Sequence, residues 1–125
     1  MALAENEGSK LELISGTDVL WKKDIEGNIE HIFVNKNGYV SIVVTGTSHN
    51  NVIITYNPEG TELFRTFLSQ TTAIDVAISN DNKYLAYGEV DTSGSFIQSN
   101  VKIISIEKAQ SDPSNSVEYI YPAES

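Results

Sequence analysis

Glu30-His31-Ile32-Phe33-Val34, then Asn35-Lys36-Asn37-Gly38, then Tyr39-Val40-Ser41-Ile42-Val43-Val44: this stretch decides the fold. Two β-rich runs around a short Asn/Gly turn read as a hairpin. Reading outward, Asn51-Val52-Ile53-Ile54-Thr55-Tyr56 is a third strand. Asn57-Pro58-Glu59-Gly60 is a turn with proline preset at its second position, and Glu62 to Leu68 is a fourth strand. A 3.6-residue period is not sustained over any 12-residue stretch. The single helical candidate, Ile106 to Gln110, is too short to stand alone.

The hairpin recurs. Ile29 to Val44 can be laid on Ile74 to Glu89 at an offset of about 45 residues. Ile29, Phe33, Asn35, Asn37 and Tyr39 then fall on Ile74, Ile78, Asn80, Asn82 and Tyr84, and Glu30 falls on Asp75. Asn51-Val52 falls on Asn100-Val101, after the longer loop Asp91-Thr92-Ser93-Gly94-Ser95, and the last strand falls near Val117 to Tyr121. Before the first unit lie Leu11 to Ser15 and Val19 to Asp24. Leu20-Trp21-Lys22 matches Leu63-Phe64-Arg65, so these two read as the third and fourth strands of a preceding unit. The expectation is all-β, with about ten antiparallel strands in two and a half four-stranded units.

Four-stranded units at this spacing are the signature of propeller blades. Ser79-Asn80-Asp81-Asn82-Lys83-Tyr84-Leu85-Ala86 resembles the Ser-Pro-Asp-Gly-Lys-Tyr-Leu-Ala hairpin of WD40-like and quinoprotein-like β-propellers, and Val19-Leu20-Trp21-Lys22-Lys23 resembles the outer strand that ends such blades. The WD and Gly-His dipeptides and the quinoprotein tryptophan pattern are absent. More narrowly, the chain is similar to uncharacterised, membrane-tethered propeller-like proteins of Gram-positive bacteria. That resemblance implies an extracytoplasmic location, with a cytoplasmic one as the alternative, and implies no known activity. The expected organisation is a flexible segment 1–10, a repeat region 11–122 (half unit 11–28, unit 29–70, unit 72–122) and a tail 123–125. A β-sandwich is the alternative packing. Two and a half blades leave apolar faces uncovered, so the expectation is a piece of a longer chain or copies that cover one another.

Composition narrows the function classes. The 125 residues hold 17 acidic and 8 basic side chains, a formal charge of −9, and no cysteine. No disulfide framework, thiolate metal site or cysteine nucleophile is available. The scattered cations do not make a nucleic-acid face, and no apolar run approaches a membrane span, so membrane insertion by this segment is not expected.

Candidate chemistry is sparse. His31 shares its predicted face with Ile29 and Phe33, and His49 sits in the polar run Gly46 to Asn51; neither has a partner at metal-ligand spacing. Asp91-Thr92-Ser93-Gly94 has one residue too many for an aspartic-protease motif, and Asn80-Asp81-Asn82 lacks the glycine and glutamate of a calcium loop. Glu30 and Asp75, at one repeat position near the start of the innermost strand, are the candidate ligand-binding carboxylates. Tyr119 and Tyr121, alternating with Ile120 beside Pro122, are the candidate interaction pair. Trp21, Phe64 and Phe67 on the outer strands, and Tyr39 and Tyr84 at the start of the second strands, are expected to pack between units. No cofactor, metal site or catalytic residue is expected. The leading expectation is a non-enzymatic scaffold that binds a protein partner or associates with itself through its uncovered faces. The alternative is a ligand- or carbohydrate-binding sensor, or a hydrolase, whose site is completed by further blades.

Overall fold

The computed structural model describes residues 2–5, 10–47, 50–68, 71–91, 98–112 and 116–123. Its strands form three antiparallel sheets in chain order. The first holds β1 (Ala2–Glu5), β2 (Lys10–Ser15) and β3 (Asp18–Asp24). The second holds β4 (Asn28–Val34), β5 (Val40–Thr47), β6 (Asn50–Tyr56) and β7 (Glu62–Leu68). The third holds β8 (Thr71–Ile78), β9 (Tyr84–Asp91), β10 (Gln98–Ser105) and β11 (Val117–Ala123), with helix α1 (Ile106–Ser111) between the last two strands. Each sheet is a meander, so neighbours in the chain are neighbours in space. The chain is thus all-β and antiparallel, as its period-2 patterning requires.

Three expectations change. Within the segment 1–10 expected to be flexible, Ala2–Glu5 form a strand: β1 pairs with β2 through Ala4 opposite Leu11 and Leu3 opposite Glu12. Pairing satisfies the edge of β2, which patterning within so short a polar segment does not reveal. The polar loop after β5 shrinks, because Gly46 and Thr47 belong to β5 and Thr47 pairs with Asn50; His49 lies outside the described residues. The same holds for Thr92 to Ser95, beyond Asp91 at the end of β9. Ile106 to Ser111 is a helix although one and a half turns do not persist in water. Ser105 caps it by accepting from the Lys108 N–H, Ile106 and Ala109 are buried beneath it, and the Ile106 N–H donates to the Lys83 carbonyl 2.9 Å away.

The sheets stack face to face. Leu11 and Leu13 of β2 pack on Val40, Ile42 and Val44 of β5 and on Val52, Ile54 and Tyr56 of β6. On the other side of the middle sheet, Val43, Ile53, Phe64 and Leu68 pack on Val76, Ile78, Leu85, Tyr87 and Ile104 of the third. A sheet buried on both faces needs apolar residues at consecutive positions, hence Ile42-Val43-Val44 and Val52-Ile53-Ile54. The polar exceptions in the middle are matched. Ser41 and Thr55 stand opposite one another, fully buried, with their hydroxyls 2.6 Å apart.

Register shows how closely the sheets copy one another. Each carries a β-bulge between its last two strands: at Leu13/Ile14, at Thr55/Tyr56 and at Ile103/Ile104. The pair just before it is Leu13 with Trp21, Thr55 with Phe64, and Ile103 with Tyr119. An aromatic side chain of the last strand therefore stands at one fixed place in every sheet. Trp21 reaches into the second sheet: its ring lies 5.6 Å from that of Tyr56, and its Nε1–H donates to the Pro58 carbonyl at 3.0 Å. Phe64 is buried against the third.

The seat of Trp21 leaves no room for a side chain at Gly60. That glycine has φ +87°, and a Cβ there would lie 2.9 Å from the indole. Gly16, at φ +63°, faces open space. Gly60→Ala is expected to lose about 2–4 kcal/mol in urea unfolding, from left-handed strain plus overpacking, and Gly16→Ala about 1 kcal/mol from strain alone. Equal losses would mean that the ring is not seated as described.

Burial also sets an alkaline limit. Tyr56 and Tyr87 face the two cores, and burial foremost, aided by Glu62 and Glu89 respectively, pushes each phenol up to about 12. An unfolded tyrosine titrates near pH 10. The stability held by the neutral folded phenols is therefore whole below about pH 10 and is lost as pH rises through about 12. Unfolding free energy measured against pH should fall over that window, and Tyr87→Phe should make the fall shallower.

Candidate functional site

The turns at one end of the stack interlock. Asn35 Oδ1 accepts from the backbone N–H groups of Asn37 and Tyr39, both at 3.0 Å, which shapes the β4–β5 turn. Asn57 does the same for the β6–β7 turn through Glu59 and Thr61. In the β8–β9 turn Asp81 takes over, accepting from Ser79 Oγ and from the Lys83 N–H, and these bonds hold its carboxyl below the usual range. The amide of Asn35 is left to reach across, donating to the Ser79 carbonyl and to Asn82 Oδ1. Asn37 donates to the Asn80 carbonyl and to the same Oδ1. The recurrent asparagines of the sequence thus join sheet to sheet. Beside them a groove of about 550 Å³ lies between Tyr39, Asn57, Lys83, Glu107 and Gln110. It presents amide, ammonium, carboxylate and phenol groups together, a surface suited to hydrogen-bonding a polar chain.

The two candidate carboxylates do not come together. Opposite β5, His31 faces Val43 and Phe33 faces Ser41, with Glu30 standing in a bulge. Opposite β9, Asp75 faces Gly88 and Ala77 faces Ala86, with the bulge one residue earlier. The turn 79–84 has six residues between Ile78 and Leu85, where 35–39 has five between Val34 and Val40. That extra residue slips the first strand by one, so Asp75 corresponds to His31 rather than to Glu30. The bulge also turns Ile29 into the first core while Phe33 joins the second, so His31 shares a face with Phe33 alone. Glu30 accepts from Thr45 Oγ1 at 3.1 Å, and Asp75 from the Val76 N–H at 2.8 Å; both are exposed. Among the described residues no three His, Cys, Asp or Glu side chains gather as a metal site, and no helix is long and apolar enough to cross a membrane.

Of the tyrosine pair, Tyr119 stands 54% exposed on the outward face of the third sheet, and Tyr121 lies opposite Val101 in β11. Tyr119, Tyr84 and Ile103 wall a trough of about 460 Å³ floored by Ala77 and Ala86. Sequence reading found the tyrosine but not the trough, because Ala77, Ala86, Ile103 and Tyr119 lie on four strands and meet only through their pairing.

An ion pair with one buried partner is a further feature of the third sheet. Glu89, 3% exposed, meets Lys102 Nζ at 2.6 Å. Their register counterparts in the second sheet are Val44 and Ile54. The overlay of Val44 on Glu89 already placed a carboxylate where the repeat wants a hydrocarbon, and that was the available signal. Lys102→Ile alone strips Glu89 of its cation and should cost about 2–3 kcal/mol. Glu89→Val with Lys102→Ile restores the pattern of the second sheet and should be neutral or stabilising by chemical denaturation. A double variant as unstable as the single one would contradict this equivalence.

No curated protein and no solved structure matches the chain. One family model does, over residues 1–124, nearly the whole length. The chain belongs to that family, a family of unknown function designated DUF5711.

Proposed function

We propose that the chain is a run of propeller-type blades serving as a non-enzymatic interaction module. The observation that carries this reading is the shared register of the three sheets, with the bulge and its aromatic at one place in each. A sandwich has no need to repeat one packing device from layer to layer, whereas blades around an axis present the same face to the next blade every time. The slip that separates Glu30 from Asp75 supports a scaffold over a hydrolase, since the acidic pair is not a feature of the repeat.

Blades fan out from an axis, so their first strands lie closer together than their last. The chain has no cysteine, which makes introduced ones unique labelling sites. Spin-label distances for Glu30→Cys with Asp75→Cys should be clearly shorter than for Arg65→Cys with Ile120→Cys. Equal distances would favour a sandwich. Assays of the wild-type chain on ester, glycoside, phosphoester and peptide substrates should show no turnover. Turnover that is lost on combining Glu30→Ala with Asp75→Ala would favour the hydrolase reading.

A further inference from the structure

We propose that Asn37 is a modification site: its side-chain amide is lost by spontaneous deamidation, and the acid that results loosens the second sheet from the third. The proposal goes beyond the module reading and does not depend on it.

Sequence and turn geometry together place the site. Asn37-Gly38 is the only asparagine–glycine step in the chain. In deamidation the backbone nitrogen of the following residue attacks the side-chain carbonyl carbon of asparagine. A C–N bond forms, the bond to the amide nitrogen breaks, and ammonia leaves with the proton given up by the attacking nitrogen. Water then opens the succinimide ring to aspartate or isoaspartate. A glycine after the asparagine carries no side chain to hinder the attack. The fold favours both residues of this pair. Gly38 has φ +89°, and a Cβ there would stand 3.3 Å from that of Pro58. The Asn37 Nδ2 donates to the Asn80 carbonyl at 2.8 Å and to Asn82 Oδ1 at 3.1 Å. At position 38 an alanine is strained and crowded, and at 37 an aspartate lacks the donor. Asn82 in the facing turn is followed by Lys83, whose side chain hinders the same attack.

Folding slows the reaction without abolishing it. Ring closure needs the Asn37 side chain turned back onto its own backbone and the Gly38 nitrogen stripped of its proton. The side chain is held instead to the facing turn, and the Gly38 N–H donates to the Asn35 carbonyl at 3.1 Å. Asn37 is nevertheless exposed, so water and base reach it.

The product does not fit the clamp. A carboxylate has no proton to donate, and at this place it meets two acceptors, the Asn80 carbonyl and Asn82 Oδ1. Turning the Asn82 amide to meet the acid would set its NH2 against that of Asn35, which donates to the same Oδ1. Isoaspartate also adds a methylene to the backbone of a turn shaped by Asn35 Oδ1, which accepts from the Asn37 and Tyr39 N–H groups.

Peptide mapping by mass spectrometry, on the wild-type chain kept folded at mildly alkaline pH, tests the site. Asn37 should convert to a mixture of aspartate and isoaspartate while Asn82 stays intact. Conversion should run about tenfold slower than in the urea-unfolded chain, the factor that one or two net hydrogen bonds supply. Asn82→Gly keeps the left-handed turn position, removes the Oδ1 acceptor and should speed conversion of Asn37 severalfold. Hydrogen exchange tests the consequence. In Asn37→Asp the amides of Gly38 and Asn82 should exchange severalfold faster than in wild type, while those of Asn57 and Gly60 in the β6–β7 turn keep their rates. An Asn37 that stays intact in the folded chain, or converts as fast folded as unfolded, overturns the proposal. So does conversion of Asn82 at the rate of Asn37, or an Asn37→Asp chain whose exchange at Gly38 and Asn82 matches wild type.

Discussion

Everything in this stack depends on how one sheet seats itself on the next, and the seat is an aromatic ring beside a bulge. The bulge twists the last strand and aims Trp21 and Phe64 out of their own sheets. Trp21 meets Tyr56 and the turn at Pro58 to Gly60, which are parts of the second sheet. A three- or four-stranded meander has no core of its own, and it gains stability when an apolar face is covered by a neighbour.

The middle sheet bears the consequences. With both faces covered, it has no place for an unmatched polar group. Ser41 and Thr55 satisfy each other across the strands. The same demand in the third sheet is met by Glu89 and Lys102, a pair standing where the second sheet has Val44 and Ile54. Ion pairs with a buried partner rarely stabilise more than hydrocarbon of like size, so the pair adds little strength over the Val44 and Ile54 of the second sheet. The asparagine bonds between turns tie the β4–β5 turn to the β8–β9 turn at one distance and one height.

Much of this was legible in one dimension. Alternation and turn chemistry place ten of the strands, because side chains in a strand point to opposite faces and glycine or asparagine must take the left-handed turn positions at Gly38 and Asn82. The match of Leu20-Trp21-Lys22 with Leu63-Phe64-Arg65 holds in register, since an aromatic in an otherwise charged stretch is a strong marker. The match of Glu30 with Asp75 does not hold, because identical-looking turns differ in length by one residue and a one-residue slip exchanges the two faces of a strand. With that slip went the pairing of Glu30 with Asp75.

By itself the sequence determined the class of the fold, the order of its strands and the recurrence of its units, all of which follow from local periods and turn residues. Only the tertiary structure decided which faces are covered. β1 exists because β2 offers it an edge, and α1 exists because Ile106 and Ala109 find a core beneath them. Ala77 and Ala86 make a trough only because Tyr84, Ile103 and Tyr119 rise around them from three different strands. Such surfaces arise from residues far apart in the chain, brought together by strand register, and register is settled by packing between sheets rather than by any local preference.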